Sequence, residues 1–341
     1  MGDLPERPRR RALLDRYGRL HSYLRISVTD RCNYRCTYCM PAEGMSWLPR
    51  KDLLHYEEIA RIVAIFAGMG IRRVRLTGGE PTARRDILSL VRSLGQIPGI
   101  EDLAMTTNGH LVAPLAPALK EAGLRRVNIS LDTLDADKFG SITRGGKLGP
   151  VLDAIEACRS AGLGPVKLNM VVIGGENEGE LLPMARYALE RAEDTVLRFI
   201  EYMPFADRWH RTVPAEEIRQ ELSKEFELEP DGYRGPGGGP ATYWLAHHPS
   251  RSVPLRIGFI APLTEHFCAS CNRLRLLADG SLRTCLAHEK TPNLRDLLRS
   301  GADDAEVEAV LRTIVLGKPA GHESQTEGGQ NFEGIMTAIG G

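Results

Sequence analysis

Of the seven cysteines in 341 residues, six fall into two groups of three. Cys32, Cys36 and Cys39 share one short run with spacing C-x3-C-x2-C, while Cys268, Cys271 and Cys285 form C-x2-C-x13-C. Three thiolates are soft ligands suited to zinc or to iron–sulfur chemistry. A closed zinc site or an ordinary 4Fe–4S cluster takes four protein ligands, so a trio leaves one metal position for an outside molecule. That open position converts a structural centre into a reactive one. A zinc ribbon would place a second cysteine pair near Cys285, and one cysteine alone stands there. A zinc knuckle at the first trio would need a distant fourth ligand such as His55 or His110. The seventh cysteine, Cys158, lies in an amphipathic helical pattern and is expected as a buried thiol.

The elements that must position these groups alternate regularly. Residues 23–29, 74–77, 102–107, 126–131, 166–173 and 196–203 read as strands. Residues 56–69, 87–95, 115–122, 151–161, 180–191 and 215–226 read as helices between them. In the first helix Ile59, Ile62, Val63 and Phe66 recur at helical spacing, and Gly70 stands where a stop is expected. Residues 23–226 thus carry six units of about 34 residues, near the ~31 per unit of an eight-unit barrel. We expect an α/β fold, an incomplete (β/α)6 TIM-like barrel with an open side; a doubly wound sheet is the alternative. Either fold gathers functional residues at the C-terminal strand ends.

After residue 226 the pattern changes. The Gly- and Pro-rich run 231–240 reads as a linker or a long hairpin loop. Strands at 255–260 and 274–277 and helices at 294–299 and 305–316 follow, which predicts a C-terminal α+β extension carrying the second trio. The expected division is residues 1–229, a partial barrel with an N-terminal arm, and residues 230–341, ending in a mobile tail.

Lys plus Arg total 44 and Asp plus Glu total 44, so no chain-wide field favours nucleic acid or an anionic membrane. An anionic ligand must be held by local cations. The N-terminus lacks the apolar core of a signal peptide and no run suits a membrane span, which predicts a cytoplasmic protein. Phosphate-binding motifs fail in context: residues 68–73 carry arginine in place of the third glycine of a dinucleotide fingerprint, and they precede a strand. Residues 140–148 miss the phosphate-loop register and its Ser or Thr. Asn128-Ile-Ser130 fits a glycosylation acceptor formally but falls in a predicted strand. Arg9 to Arg11 form a basic arm with no assigned role.

The run Asp30-Arg-Cys32-Asn-Tyr-Arg-Cys36-Thr-Tyr-Cys39-Met-Pro41 resembles the radical S-adenosylmethionine enzymes. The resemblance implies that Cys32, Cys36 and Cys39 hold a 4Fe–4S cluster whose open iron binds the amino and carboxylate groups of S-adenosylmethionine. It also implies that Thr77-Gly78-Gly79-Glu80-Pro81 cradles the methionine part, with Glu80 near its ammonium. Tyr38, Gly79, Ser130 and Met203 become cofactor contacts on the same ground. Thr106 to Gly109 and Asn128 to Asp132 add polar groups at the same end.

Two trios around a six-unit barrel further resemble the GTP 3′,8-cyclase family of molybdenum cofactor biosynthesis, over about Leu13 to Leu316 and again at Gly340-Gly341. This implies a second 4Fe–4S cluster on Cys268, Cys271 and Cys285 that binds guanine. GTP contacts would come from Arg25, Arg75, Thr106, Lys167, Arg273 and Arg275. Gly340 and Gly341 would reach the active site and assist beside Arg273 and Arg275. The implied reaction splits S-adenosylmethionine by one electron, removes the 3′ hydrogen of GTP and joins that carbon to C8 of guanine. A low-potential electron donor and a downstream cyclic pyranopterin monophosphate synthase follow as partners, with no membrane or nucleic acid, and a homodimer is left open. Two rival readings are a different radical enzyme with an auxiliary cluster acting on a peptide, and a zinc-stabilised RNA-binding module using Arg273 and Arg275.

Overall fold

A computed structural model describes residues 12–204, 210–235, 239–285 and 291–321. Strands β1 (Tyr23–Ser27), β2 (Arg73–Thr77), β3 (Asp102–Thr107), β4 (Arg126–Ser130), β5 (Val166–Gly174) and β6 (Thr195–Glu201) pair in parallel in chain order. Successive strand residues point to opposite faces. Leu24, Ile26, Val74, Leu76, Val127, Ile129 and Leu168 supply one face and are buried with the helices in a single apolar core. Burying a side chain of that size is worth about 1.5–3 kcal/mol, so this face sets the register. The residues between them are polar: Arg25, Arg75, Thr106, Asn128, Lys167, Asn169 and Arg198 line an interior cavity.

The connecting helices are α1 (Tyr56–Gly68), α2 (Ile87–Gly95), α3 (Ala116–Glu121), α4 (Ala136–Thr143), α5 (Leu148–Ser160), α6 (Leu181–Leu189) and α7 (Ala215–Leu222). In α1 the predicted apolar stripe is buried, and the start is capped by Glu58, which accepts the His55 N–H at 2.7 Å. The turn after it needs Gly70 at a φ of +106°. Helix α4 has no counterpart in the sequence-predicted elements. It is eight residues long with Gly140 inside it, and its apolar periodicity rests on few positions.

The short strand β7 (Arg211–Thr212) pairs antiparallel with β5. Strands β8 (Glu227–Asp231), β9 (Thr242–His248) and β10 (Arg251–Ile260) form an antiparallel meander, and β10 then adds in parallel to β6. On the opposite flank β11 (Arg273–Leu276) adds in parallel to β1, with β12 (Leu282–Arg283) antiparallel beyond it. The order β12-β11-β1-β2-β3-β4-β5-β6-β10-β9-β8 leaves β12 and β8 as edges, so the sheet stays open. The expected six-strand open barrel is therefore present, and both flanks are built by the C-terminal region. Parallel neighbours far apart in sequence leave no local signal of their pairing. The run 231–240 joins β8 to β9, whose Asp231 and Tyr243 pair, so it is a hairpin connection. Helices α8 (Leu294–Arg299) and α9 (Asp304–Leu316) complete the fold, α9 against α1.

Ahead of β1, Leu14 bridges to Leu20 around a buried knot. Asp15 accepts from Arg19 Nε at 2.6 Å, and its carboxylate lies 3.0 Å from His21 Nε2. Burial, aided by the charge of Lys318, pushes the His21 imidazole down to about 4. Folded His21 is therefore neutral where an unfolded histidine near 6.5 begins to charge. Its stabilising contribution is complete above pH 6.5 and is lost as pH falls from 6.5 towards 4. His21→Gln is accordingly expected to lose less stability than the wild type between pH 7.5 and pH 5, read from urea midpoints; equal losses would contradict this.

Candidate active site

The first cysteine trio occupies the loop after β1, and α4 holds that loop in place. The last carbonyls of a helix lack intrahelical partners. Here the Thr37 N–H donates to Ile142 O (2.8 Å) and the Arg35 N–H to Thr143 O (3.1 Å). Arg144, left-handed at φ 52°, caps the helix and donates from Nη1 to Met40 O (2.8 Å) and Arg35 O (3.1 Å). Cys36 and Cys39 are linked by a tight turn, with the Cys39 N–H donating to Cys36 O at 3.0 Å. Burial pushes the Cys32 thiol up to about 11 and Cys36 well above its ordinary value, so metal loading here must release protons.

Gly78 and Gly79 follow β2. A Cβ on Gly78 would stand 2.5 Å from Thr29 O, and one on Gly79 would stand 2.2 Å from Arg31 O. The paired glycines thus let this turn lie against the lead-in to the cysteine loop. Gly79 also lines the cavity. Glu80 is wholly buried behind that wall. Its carboxylate accepts from Thr82 N (3.0 Å), Thr107 Oγ1 (2.8 Å) and Asn108 N (2.7 Å), which ties the ends of β2 and β3 together. Burial raises its pKa against these donors. Asn108 in turn donates to Asn33 Oδ1 at 2.8 Å, carrying the connection to the cysteine loop.

The second trio lies at the other end of the cavity, beside the start of β1: Arg273, two residues after Cys271, pairs with Tyr23, and the Ser22 N–H donates to Asn272 O at 3.3 Å. The lead-in to this trio is pinned by Glu201, which accepts from Leu263 N (3.1 Å), Thr264 N (3.2 Å) and Ala215 N (3.2 Å). Burial alone would raise the Cys271 thiol, but the charges of Arg273 and Lys318 prevail and bring it down to about 7. None of the seven cysteines is in a disulfide, and Cys158 is buried as expected.

All six clustered cysteines line one cavity of about 380 Å³. With them are Arg25, Tyr38, Arg75, Gly79, Thr106, Ser130, Lys167, Met203, Arg273 and Arg275. Of the sequence-predicted site residues, Gly340 and Gly341 lie outside the described residues. Tyr38 donates to Asp132 Oδ2 at 2.8 Å, and Asp132, also accepting from Val171 N (2.9 Å), is pushed up to about 6 by burial.

The wall is strongly cationic. Arg275, Arg25 and Arg75 stand in register on three adjacent strands. Among the described residues the lining holds nine Arg and Lys side chains against one carboxylate, Glu201, which is committed to its loop. Arg126 is neutralised by a bidentate pair with Asp102. Arg75 donates to Tyr23 Oη and to Thr106 Oγ1 (3.3 Å), and Arg198 Nη2 donates to Asn169 Oδ1 (2.6 Å). Burial, and then the neighbouring Arg198, Arg126 and Arg75, push Lys167 down to about 6. Burial and Arg273 bring Arg275 down to about 10. Asn128 Oδ1 is buried in the same wall with no hydrogen-bond partner among the described residues. Such a pocket is built for a polyanion that also offers hydrogen-bond donors.

The cysteine trios fit clusters with an open metal position by donor type and by facing a shared cavity. Among the described residues no three His, Cys, Asp or Glu side chains already converge on a position for a single ion.

Comparison with known proteins agrees with this geometry. Residues 26–188 match the radical SAM superfamily model, and residues 195–324 match Molybdenum Cofactor Synthesis C. The GTP 3′,8-cyclase of Moorella thermoacetica is 46% identical over 330 residues, covering 96% of this chain and 99% of that one. That of Marinobacter nauticus is 44% identical over 336 residues, covering 96% and 98%. The chain belongs to the GTP 3′,8-cyclase family. The fold likeness extends to SuiB of Streptococcus suis, solved bound to S-adenosylmethionine, at 15% identity and a TM-score of 0.58 over 86% of this chain and 69% of that one.

In this member of the GTP 3′,8-cyclase family the cavity wall includes residues the sequence reading did not single out: Tyr23, Arg126, Asn169, Arg198 and Tyr243. Four of them could have been found from strand alternation. Tyr23 is two residues from Arg25, Asn169 two from Lys167, and Arg198 interrupts an otherwise apolar strand at an inward position. Arg126 likewise precedes Asn128 by two. Tyr243 comes from the neighbouring meander and has no such signal. Among the described residues no helix is long and apolar enough to cross a membrane.

Proposed function

We propose that this chain converts GTP to (8S)-3′,8-cyclo-7,8-dihydroguanosine 5′-triphosphate, the first step of molybdenum cofactor biosynthesis, using two 4Fe–4S clusters and S-adenosylmethionine. The observation that carries the reading is the pair of three-thiol loops facing one cationic cavity in a member of this family. When bound, the cluster on Cys32, Cys36 and Cys39 supplies the electron that cleaves the sulfonium and so starts hydrogen removal from the ribose.

The chain's own residues bind, orient and shield. Gly79, Ser130, Tyr38 and Met203 surround S-adenosylmethionine at the first loop. Glu80, behind the Gly79 wall, fixes the Thr107–Asn108 turn near where the cofactor's ammonium would lie. Arg25, Arg75, Lys167, Arg273 and Arg275, with Thr106, grip GTP, while Cys268, Cys271 and Cys285 carry the cluster facing its base. Gly340 and Gly341 assist beside Arg273 and Arg275. Residues 1–229 form the S-adenosylmethionine half and residues 230–341 the guanine half. The setting is the cytoplasm, with a low-potential electron donor upstream and a cyclic pyranopterin monophosphate synthase downstream.

The test is an anaerobic incubation of the iron-loaded protein with S-adenosylmethionine, dithionite and GTP deuterated at C3′. Deuterium is expected in 5′-deoxyadenosine together with a cyclised nucleotide; deuterium-free 5′-deoxyadenosine, or none, would overturn the assignment. Deleting Gly340 and Gly341 should depress cyclised product without lowering iron content, and undiminished turnover would remove the tail from the reading.

Lys167 gives this reading a pH signature. Near pH 7.5 its amine is mostly neutral in the ligand-free protein, and a triphosphate recruits the ammonium. Binding therefore takes up a proton, so affinity falls as pH rises above about 6. Lys167→Met is expected to weaken GTP binding at pH 6.5 and to flatten the pH dependence; an unchanged slope would show that Lys167 does not face the phosphates.

A further inference from the structure

The segment after α9 wraps the second cysteine loop. Lys318 is 2% exposed. Its Nζ donates to Arg273 O at 2.7 Å and to Cys271 Sγ at 3.5 Å, and it lies close enough to Cys285 for their charges to interact. Arg19 then braces the segment from the N-terminal side, donating to Pro319 O (2.5 Å), Ala320 O (2.7 Å) and Cys268 O (2.9 Å). Asp15 holds the Arg19 guanidinium from behind. Gly321 completes the wrap, since a Cβ there would stand 3.4 Å from Cys268 Cβ. Residues about 300 positions apart thus converge on the backbone and sulfurs of one loop.

A buried ammonium needs opposite charge nearby. What Lys318 faces is a carbonyl oxygen and cysteine sulfur, so its compensation must come from thiolates or from a cluster they ligate. Hydrogen bonds to ligating sulfur and local positive charge both favour the more negatively charged, reduced cluster. We propose that Lys318 is a positioning residue for the second cluster, whose buried ammonium, held by the Arg19–Asp15 brace, raises that cluster's reduction potential. This rests on the reading of Cys268, Cys271 and Cys285 as cluster ligands.

The experiment uses the full chain, reconstituted anaerobically, as wild type, Lys318→Met and Lys318→Arg. Iron per chain and both cluster midpoints are read by titration followed with electron paramagnetic resonance, the first cluster serving as internal control. Lys318→Met is expected to shift the second midpoint to more negative potential and leave the first unchanged, with Lys318→Arg restoring most of the shift. If Lys318→Met loads only about four irons, Lys318→Gln is titrated in its place, with the same negative shift of the second midpoint expected and an unmoved one overturning the proposal. An unmoved second midpoint in Lys318→Met, or a Lys318→Arg as defective as Lys318→Met, overturns it. A wild type loading only about four irons would instead overturn the two-cluster reading, before any variant is compared.

Discussion

Cys36→Ala is expected to abolish GTP turnover and to halve the iron content, from about eight to about four per chain. The reason is local. Cys36 is the middle ligand of its loop, its carbonyl accepts the Cys39 and Met40 N–H groups, and its half-buried thiol faces the cavity with the other two. Two remaining thiols cannot hold a cluster and also leave a defined metal position open. Loss of the sulfur does not threaten the fold, because the loop is fastened through backbone bonds to α4 and through Arg144, none of which uses the side chain. The second trio should therefore still load. Cys158→Ala is the control: that thiol is buried in the apolar core, remote in role from the cavity, and its loss should leave iron and turnover unchanged at a modest cost in stability. If Cys36→Ala kept about eight irons, or still released 5′-deoxyadenosine in the presence of GTP, the first trio could not be the radical-generating centre.

What the sequence disclosed divides along physical lines. Strands β1 to β6 were readable because their outer faces are β-branched and apolar at a period of two, a local property. The cysteine trios were readable because ligand spacing is local too. Register is not local: nothing near Arg275 announces that it stands beside Arg25, in a row that continues to Arg75, yet that row defines the cavity's charge. Nor does the sequence around residues 255 and 274 disclose that one strand joins β6 and the other joins β1. Helix α4 has little local signal: it is short, carries Gly140, and buries only Phe139, Ile142 and Thr143, while its last carbonyls are satisfied by the distant cysteine loop. The Gly78-Gly79 pair is legible as a turn with room beside it, but its packing on the lead-in to the cysteine loop joins segments some 50 residues apart and has no local signal.

Arg25→Met is expected to weaken GTP binding by about 10- to 150-fold while leaving the ligand-free protein as stable as the wild type or more so. The first figure follows from the ~1.5–3 kcal/mol of a charge-assisted hydrogen bond. The second follows from the row of cations. Two unit charges about 5 Å apart, the spacing of adjacent strands, repel by roughly 3 kcal/mol at an effective dielectric of about 20. Arg25 has such a neighbour on each side, Arg275 and Arg75, and burial together with Arg275 depresses its pKa well below the ordinary value. Its aliphatic replacement removes that repulsion and keeps most of the volume. The ligand-free cavity is thus held in an electrostatically unfavourable state by the rest of the sheet, and the triphosphate relieves it. Wild-type melting temperature should consequently rise on adding GTP, and inorganic triphosphate should give part of the rise; in Arg25→Met both increments should shrink. Asp102→Asn makes the opposite change, freeing the charge of Arg126, and should lower ligand-free stability while sharpening the response to triphosphate. A clear loss of ligand-free stability in Arg25→Met with normal GTP affinity would mean that the guanidinium is part of the sheet's framework, and that the row of arginines does not form the phosphate site.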